Sequence, residues 1–238
     1  DLLDTLRTKL KVLSGCADNE IRVIRSPLRI SPLGAHVDHQ DGLVTGMALD
    51  RALLVAFAPR ADARVVVGSR QFAGVAEFCI GEVDAGPRGD WADYARGAVF
   101  ALRRATGIDR GAVMLVDGHE DVGGLSSSAA VGVAYLLALE SVNGLAVSPE
   151  DNVELDRIIE NEFIGLNNGI LDQSVILHGR SGHLTHVDCR TGAVRSLRAG
   201  EERSFCVVVL FSGLRRRLTD TDYNQRVEEC RRAARALL

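Results

Sequence analysis

The stretch Val122-Gly-Gly-Leu-Ser-Ser-Ser-Ala-Ala130 limits what this chain can fold into more than any other, because it turns sharply and then enters a long apolar helix sequence. Gly123 and Gly124 have no Cβ, so the backbone there can bend tightly and come close to a ligand. Ser126 and Ser127 are good N-cap residues, and the first N–H groups of a helix have no internal partner. Those donors and the helix dipole together favour an anion, with a phosphate chain as the natural guest. A plain capped helix behind a flexible turn carries the same residues, so on this string alone both readings stand.

Composition narrows the class. A chain of 238 residues with 46% hydrophobic content can bury a core in one large domain or two smaller ones. No run approaches the ~18 apolar residues of a membrane helix, and no signal-peptide pattern opens the chain, so no membrane partner is expected. The net charge of −4 argues against a nucleic-acid surface. The basic clusters Arg215-Arg-Arg217 and Arg231-Arg232 have acids close by and read as solvated faces. Five scattered cysteines with no Cys-x-x-Cys pair suit a reducing compartment, hence a cytoplasmic protein, and offer no zinc site. A chain that begins at Asp1 and stops within helical sequence is expected to be a fragment.

Leucine spacing predicts a helix over 2–13, and Ile21 to Ile24 reads as a strand. Two prolines and Asp41-Gly42 predict an extended loop over 25–42. Strands are expected at 43–49 and 52–58, joined at Asp50-Arg51, and at 64–67 and 75–80. After a linker at 87–90, a helix runs to about Gly107, and a buried strand over 111–116 delivers the chain to the glycine-serine turn. Helices follow over 128–142 and from Ser148-Pro149 to about Gly165, then an irregular segment over 166–173. Strands at 184–188 and 205–211 and a terminal helix from about Asp222 complete the order. This is not βαβ alternation, and the turn lacks Gly-Lys-Ser/Thr, so an α+β fold is expected, neither doubly wound nor a Walker loop protein.

Three polar segments stand out together: Arg29-Ile-Ser-Pro-Leu-Gly-Ala-His-Val-Asp38, Gly123-Gly-Leu-Ser-Ser-Ser-Ala-Ala130 and Glu160-Asn-Glu-Phe-Ile-Gly-Leu-Asn-Asn-Gly-Ile-Leu-Asp-Gln173. In order and approximate spacing they resemble the sugar signature, phosphate loop and catalytic-aspartate segment of galactokinase-like GHMP small-molecule kinases. The resemblance implies a GHMP kinase N-terminal domain (ribosomal protein S5 domain 2-like) over 1–178, and the start of a ferredoxin-like C-terminal domain over 179–238. It implies ATP and Mg²⁺ as cofactors. Asp172 resembles the acid facing the phosphorylated hydroxyl, and Arg29 its cationic companion. Gly123, Gly124, Leu125, Ser126, Ser127, Ser128 and Ala129 match positions that wrap the nucleotide phosphates, and Ser128 and Glu160 match positions that hold Mg²⁺. His36 and Asp38 fall where the family grips sugar hydroxyls, with Gly169 in the aspartate segment. Tyr223, in Tyr223-Asn-Gln-Arg226, matches a sugar-contacting tyrosine.

Where galactokinases read Gly-Glu-His-Thr-Asp-Tyr, this chain reads Gly34-Ala-His-Val-Asp-His39. The glutamate that approaches the sugar's C6 hydroxyl is replaced by Ala35, and the aromatic by His39. Two carboxylates about 4 Å apart repel by about 4 kcal/mol at an effective dielectric of 20, so losing one acid admits a C6 carboxylate. A protonated His39 attracts such a group. The expected substrate is thus a sugar acid, and the resemblance implies galacturonic acid, phosphorylated at its anomeric hydroxyl. Galactose, arabinose, or a non-catalytic sensor role for the fold are the alternatives. The family's closing glycine-rich motif has no counterpart after Leu177. Monomer and homodimer are both compatible with the sequence.

Overall fold

The computed structural model describes residues 2–118, 125–198, 206–210 and 222–237. Seven strands form one sheet in the order β4 (Val75–Cys79), β3 (Arg64–Ser69), β5 (Ala112–Asp117), β2 (Leu43–Pro59), β6 (His183–Asp188), β7 (Ala193–Arg198), with β1 (Arg22–Leu33) also paired to β2. All pairs are antiparallel except β3 with β5.

β2 organises the sheet. It is one strand of 17 residues where two were expected. Asp50 and Arg51 are exposed and do not break it, because β1 pairs on either side of them, Pro27 with Ala52 and Arg29 with Ala48. β1 in turn takes the first part, 25–33, of the stretch 25–42 expected to be a loop. Its register shifts between Pro27 and Arg29 and between Ile30 and Leu33 absorb the residues that cannot donate to a ladder. β5 takes the far half of the opposite edge of β2, Leu54 to Pro59, and β6 takes the near half, Leu43 to Gly46.

Alternation along the strands sends side chains to two cores. Val55, Phe57, Met114 and Val116 face α2 (Asp93–Thr106), α3 (Ser127–Asn143) and α4 (Pro149–Ile158). Ala56, Ala58, Val113 and Leu115 face Leu6 and Leu10 of α1 (Leu2–Ser14) on the other side. β5 is therefore buried along its whole length. α3 is apolar nearly all round because it is the central helix, touching α2, α4, α5 (Leu171–His178) and the sheet. Ser148 caps α4 by accepting from the Asp151 N–H at 3.0 Å, with Pro149 next. After Ile158 the helix widens into a π turn, Ile159–Ile164.

The expected linker at 87–90 is an ordered turn: the Asp93 carboxylate accepts the N–H groups of Arg88, Gly89 and Asp90, and Arg96 holds that carboxylate at 2.6 Å. The sheet continues past residue 178, where a domain boundary was expected, because β6 pairs Val187 with Val44. β7 was not expected at all; its exposed, arginine-rich sequence hides a strand whose ladder with β6 supplies the order. Conversely, Cys206–Leu210, expected as a strand, forms no ladder among the described residues. An apolar run becomes a strand only beside a partner edge. A last helix, α6 (Tyr223–Leu237), follows. No helix among the described residues is long and apolar enough to cross a membrane, and all five cysteines are free.

Candidate active site

The bend of β1 brings Arg29 beneath the glycine-serine turn, where its backbone N–H donates to the Leu125 carbonyl at 3.3 Å. Its side chain reaches Asp172 in the first turn of α5: Nε and Nη2 lie 2.6 and 2.5 Å from Oδ1. The Ser126 hydroxyl donates to the other carboxylate oxygen. Asp172 is thus fixed from two sides, by a cation on the sheet and by the turn. The side chains of Arg29 and Asp172 are only 15% and 23% exposed, so their attraction is weakly screened.

Ser126 does not do what an N-cap serine does. It sits at the cap position with φ +57°, in the left-handed region, and makes no side-chain cap. Its hydroxyl is committed to Asp172, which leaves the first N–H groups of α3 (Ser127, Ser128, Ala129) without a capping side chain. Gly123 and Gly124 lie outside the described residues.

Near Asp172, Glu160 is buried in the π turn. Its carboxylate accepts from the Tyr94 hydroxyl at 3.3 Å and from Asn168 Nδ2, and the Ser128 hydroxyl lies close enough to pull its pKa down. Burial pushes Glu160 up to about 7, and the charge on Asp172 adds to the rise, against the opposing pull of these donors. Asp156, one turn back on α4, is fully buried with both carboxylate oxygens unpartnered. Burial, with Glu160 and Asp172 nearby, pushes it well above the carboxylate range. Tyr94, Asn168 and Asp156 were not singled out from sequence. A buried tyrosine usually brings its hydroxyl to a polar partner, and Tyr94 on α2 does so at Glu160.

These acids give a pH dependence of stability. Glu160 is raised from 4.5 to about 7, so between those values the folded chain keeps a proton that the unfolded chain has released. Stability is then full below about pH 4.5 and falls as pH rises through 7, by about 3 kcal/mol for a shift of this size. Asp156, raised in the same direction by burial, adds to the fall. Urea midpoints at pH 4.5 and 7.5, without nucleotide or metal, are expected to show this decline, and Glu160→Gln to flatten it. A midpoint that rises with pH contradicts the assignment.

On the other side of Asp172 lies Asp38, in a short 3-10 turn, Asp38–Gln40. A Cβ on Gly169 would meet the Asp38 carboxylate and backbone at 2.5 Å, so the two loops touch and only glycine fits. Burial and the Asp172 charge raise Asp38 above its ordinary value. The His39 and Tyr223 rings meet edge to face at 6.0 Å, and burial followed by the charges on Asp38 and Asp172 raises the Tyr223 phenol. Asp38, His39, Gly169 and Tyr223 therefore gather beside the Asp172–Arg29 pair. Ala35 and His36 stand at the exposed rim, His36 in the left-handed region with its carbonyl accepting from Gln40 Nε2 at 3.4 Å.

Ser128 at the start of α3 and Glu160 in the π turn are hard oxygen donors that lie close to one another. No group of three or more His, Cys, Asp or Glu among the described residues could hold a metal. A two-ligand site suits Mg²⁺, which keeps several waters and completes its shell with substrate phosphates.

The architecture matches that of the GHMP kinases. The crystal structure of Lactococcus lactis galactokinase complexed with galactose superposes with a TM-score of 0.91 at 31% identity, over 98% of this chain and 61% of that one. Methanococcus jannaschii mevalonate kinase shares the fold at a TM-score of 0.63, with 16% identity over 75% of this chain and 56% of its own. Residues 93–180 match the GHMP kinases N terminal domain, and residues 15–59 the galactokinase galactose-binding signature. The chain belongs to the galactokinase-like branch of the GHMP kinase family. It is 43% identical to the galacturonokinase of Arabidopsis thaliana, over 99% of this chain and 61% of that protein. To the galactokinase of Roseiflexus sp. it is 38% identical, over 90% and 54% respectively. It thus spans little more than half of the curated relatives it matches.

Proposed function

We propose that this chain carries the sugar and nucleotide sites of an ATP-dependent sugar 1-kinase, which phosphorylates the anomeric hydroxyl of D-galacturonic acid to give galacturonate 1-phosphate and ADP. The observation that carries the reading is Asp172, held between Arg29 on the sugar side and Ser126 of the phosphate turn. A carboxylate offers about four lone-pair directions, so Asp172 can still accept the sugar hydroxyl with both partners in place. It orients that hydroxyl and takes its proton. Arg29 pairs with the carboxylate and faces the charge that spreads over the transferring phosphoryl oxygens. Phosphoryl transfer passes through a loose transition state, so holding acceptor and donor in line matters most. The N–H groups at the start of α3 receive the phosphates, with Gly123 through Ala129 around them. Ser128 and Glu160 hold Mg²⁺, which when bound offsets phosphate charge. Asp38, His36, His39, Gly169 and Tyr223 line the sugar.

The choice of a uronic acid rests on Ala35, where a glutamate would repel a C6 carboxylate, and on the likeness to the Arabidopsis galacturonokinase. The galactose complex of the Lactococcus relative supports the second reading, a galactokinase. Initial rates with galacturonate, galactose and arabinose at equal concentration separate them: galacturonate is expected to be fastest, and a preference for galactose sinks the uronate reading.

A further inference from the structure

Between Glu160 and Asp172 runs loop 165–169, and three consecutive residues in it are held by three different parts of the chain. The Asn167 N–H donates to Asn224 Oδ1 at 2.9 Å. The Asn168 carboxamide donates to Glu160. Gly169 is pressed against Asp38. Asn224 also donates from Nδ2 to the Gly165 carbonyl at 2.7 Å. A single carboxamide on α6 therefore takes the C=O of residue 165 and the N–H of residue 167, the two groups a neighbouring strand would take. Between them Leu166 is buried, so the loop is clamped from outside by Asn224 and from inside by packing. The hydrogen bonds from Asn224 go to backbone, not to the acids themselves.

We propose that Asn224 is a positioning residue of the transfer site, setting loop 165–169 so that Asn168 orients Glu160 and Gly169 seats Asp38. The inference rests on the kinase reading above. Asn224 is exposed, so water can serve Gly165 and Asn167 if the side chain is removed, and the fold loses little. The site loses more, because a shift near 1 Å in positioning costs on the order of a hundredfold in rate.

In the full chain, Asn224→Ala is expected to lower kcat roughly 10- to 100-fold, and to weaken binding of the magnesium complex of a non-hydrolysable ATP analogue about tenfold by titration calorimetry. Its melting temperature is expected to stay close to the parent's. Asn224→Asp, which keeps the acceptor for Asn167 and lacks the donor for Gly165, is expected to fall between the two. Gln225→Ala, the next residue of α6, is expected to match the parent. Nucleotide affinity and turnover of Asn224→Ala within twofold of the parent overturn the proposal. So does a large loss of melting temperature with unchanged rate per folded molecule. A parent that shows no sugar-dependent turnover refutes the kinase reading instead, and Asn224 is then judged on nucleotide affinity alone.

Discussion

Asp172→Asn is expected to lower turnover with galacturonate by roughly 10²- to 10⁴-fold, the range that removal of a positioned general base produces. The substitution keeps the shape of the side chain and leaves an oxygen for Arg29, so the loop geometry should survive. It removes the charge that Arg29 answers, and a neutral carboxamide does not take the hydroxyl proton. The cost to stability is expected to be about 2 kcal/mol, because Arg29 loses a charged partner in a mostly buried pair while the carboxamide keeps a hydrogen bond to it. The effect should fall on kcat, with nucleotide affinity near the parent's, since the phosphate site proposed above lies at the start of α3. Steady-state rates and a thermal melt read both quantities. Turnover within a few-fold of the parent would falsify the role given to Asp172.

Ala35→Glu is the second large effect. With the acid restored, the C6 carboxylate of galacturonate meets a like charge. At about 4 Å and an effective dielectric of 20 this costs about 4 kcal/mol, close to a thousandfold. Ala35 stands at an exposed rim, so water screens part of that repulsion, and a loss of several hundred-fold in kcat/KM for galacturonate is the expected outcome. Galactose carries no charge at C6 and gains a hydrogen-bond acceptor, so its kcat/KM is expected to hold or rise. Equal losses for both sugars contradict the assignment, because they mark a general disturbance of the loop.

Much of this arrangement is legible in the residues, and the places where it is not are instructive. Helices announce themselves by period and caps, and α3 and α4 lie close to where Asn143-Gly144 and Ser148-Pro149 place their ends. Partner-dependent elements do not. β2 passes through Asp50 and Arg51 because β1 lies alongside, and β7 is ordered by β6 although its sequence looks like surface. Prolines at 27 and 32 suggest a loop, yet bulges let the strand continue past them. The same division runs through the site. Asp172 and Arg29 stand 143 residues apart in the chain, and the ordered motifs pair them through family resemblance; their contact is a property of the fold. Ser126 looks like a helix cap, and its left-handed backbone turns the hydroxyl to Asp172 instead. Tyr94, Asn168 and Asp156 carry no local signal, since their meaning comes from Glu160 being buried among them.

The glycine-serine turn alone leaves a phosphate site and a capped helix equally open. Under the proposed function, its tie to Asp172 through Ser126 joins the phosphate site to the sugar site, and Ala35 is the residue on which the sugar choice is proposed to turn. The most direct measurement is phosphorus–proton correlation NMR of the product formed from galacturonate and ATP. A phosphate bonded to the oxygen of C1, with ADP formed in equal amount, is the predicted result. ADP formed without a phosphosugar, or a phosphate on any other hydroxyl, contradicts the account.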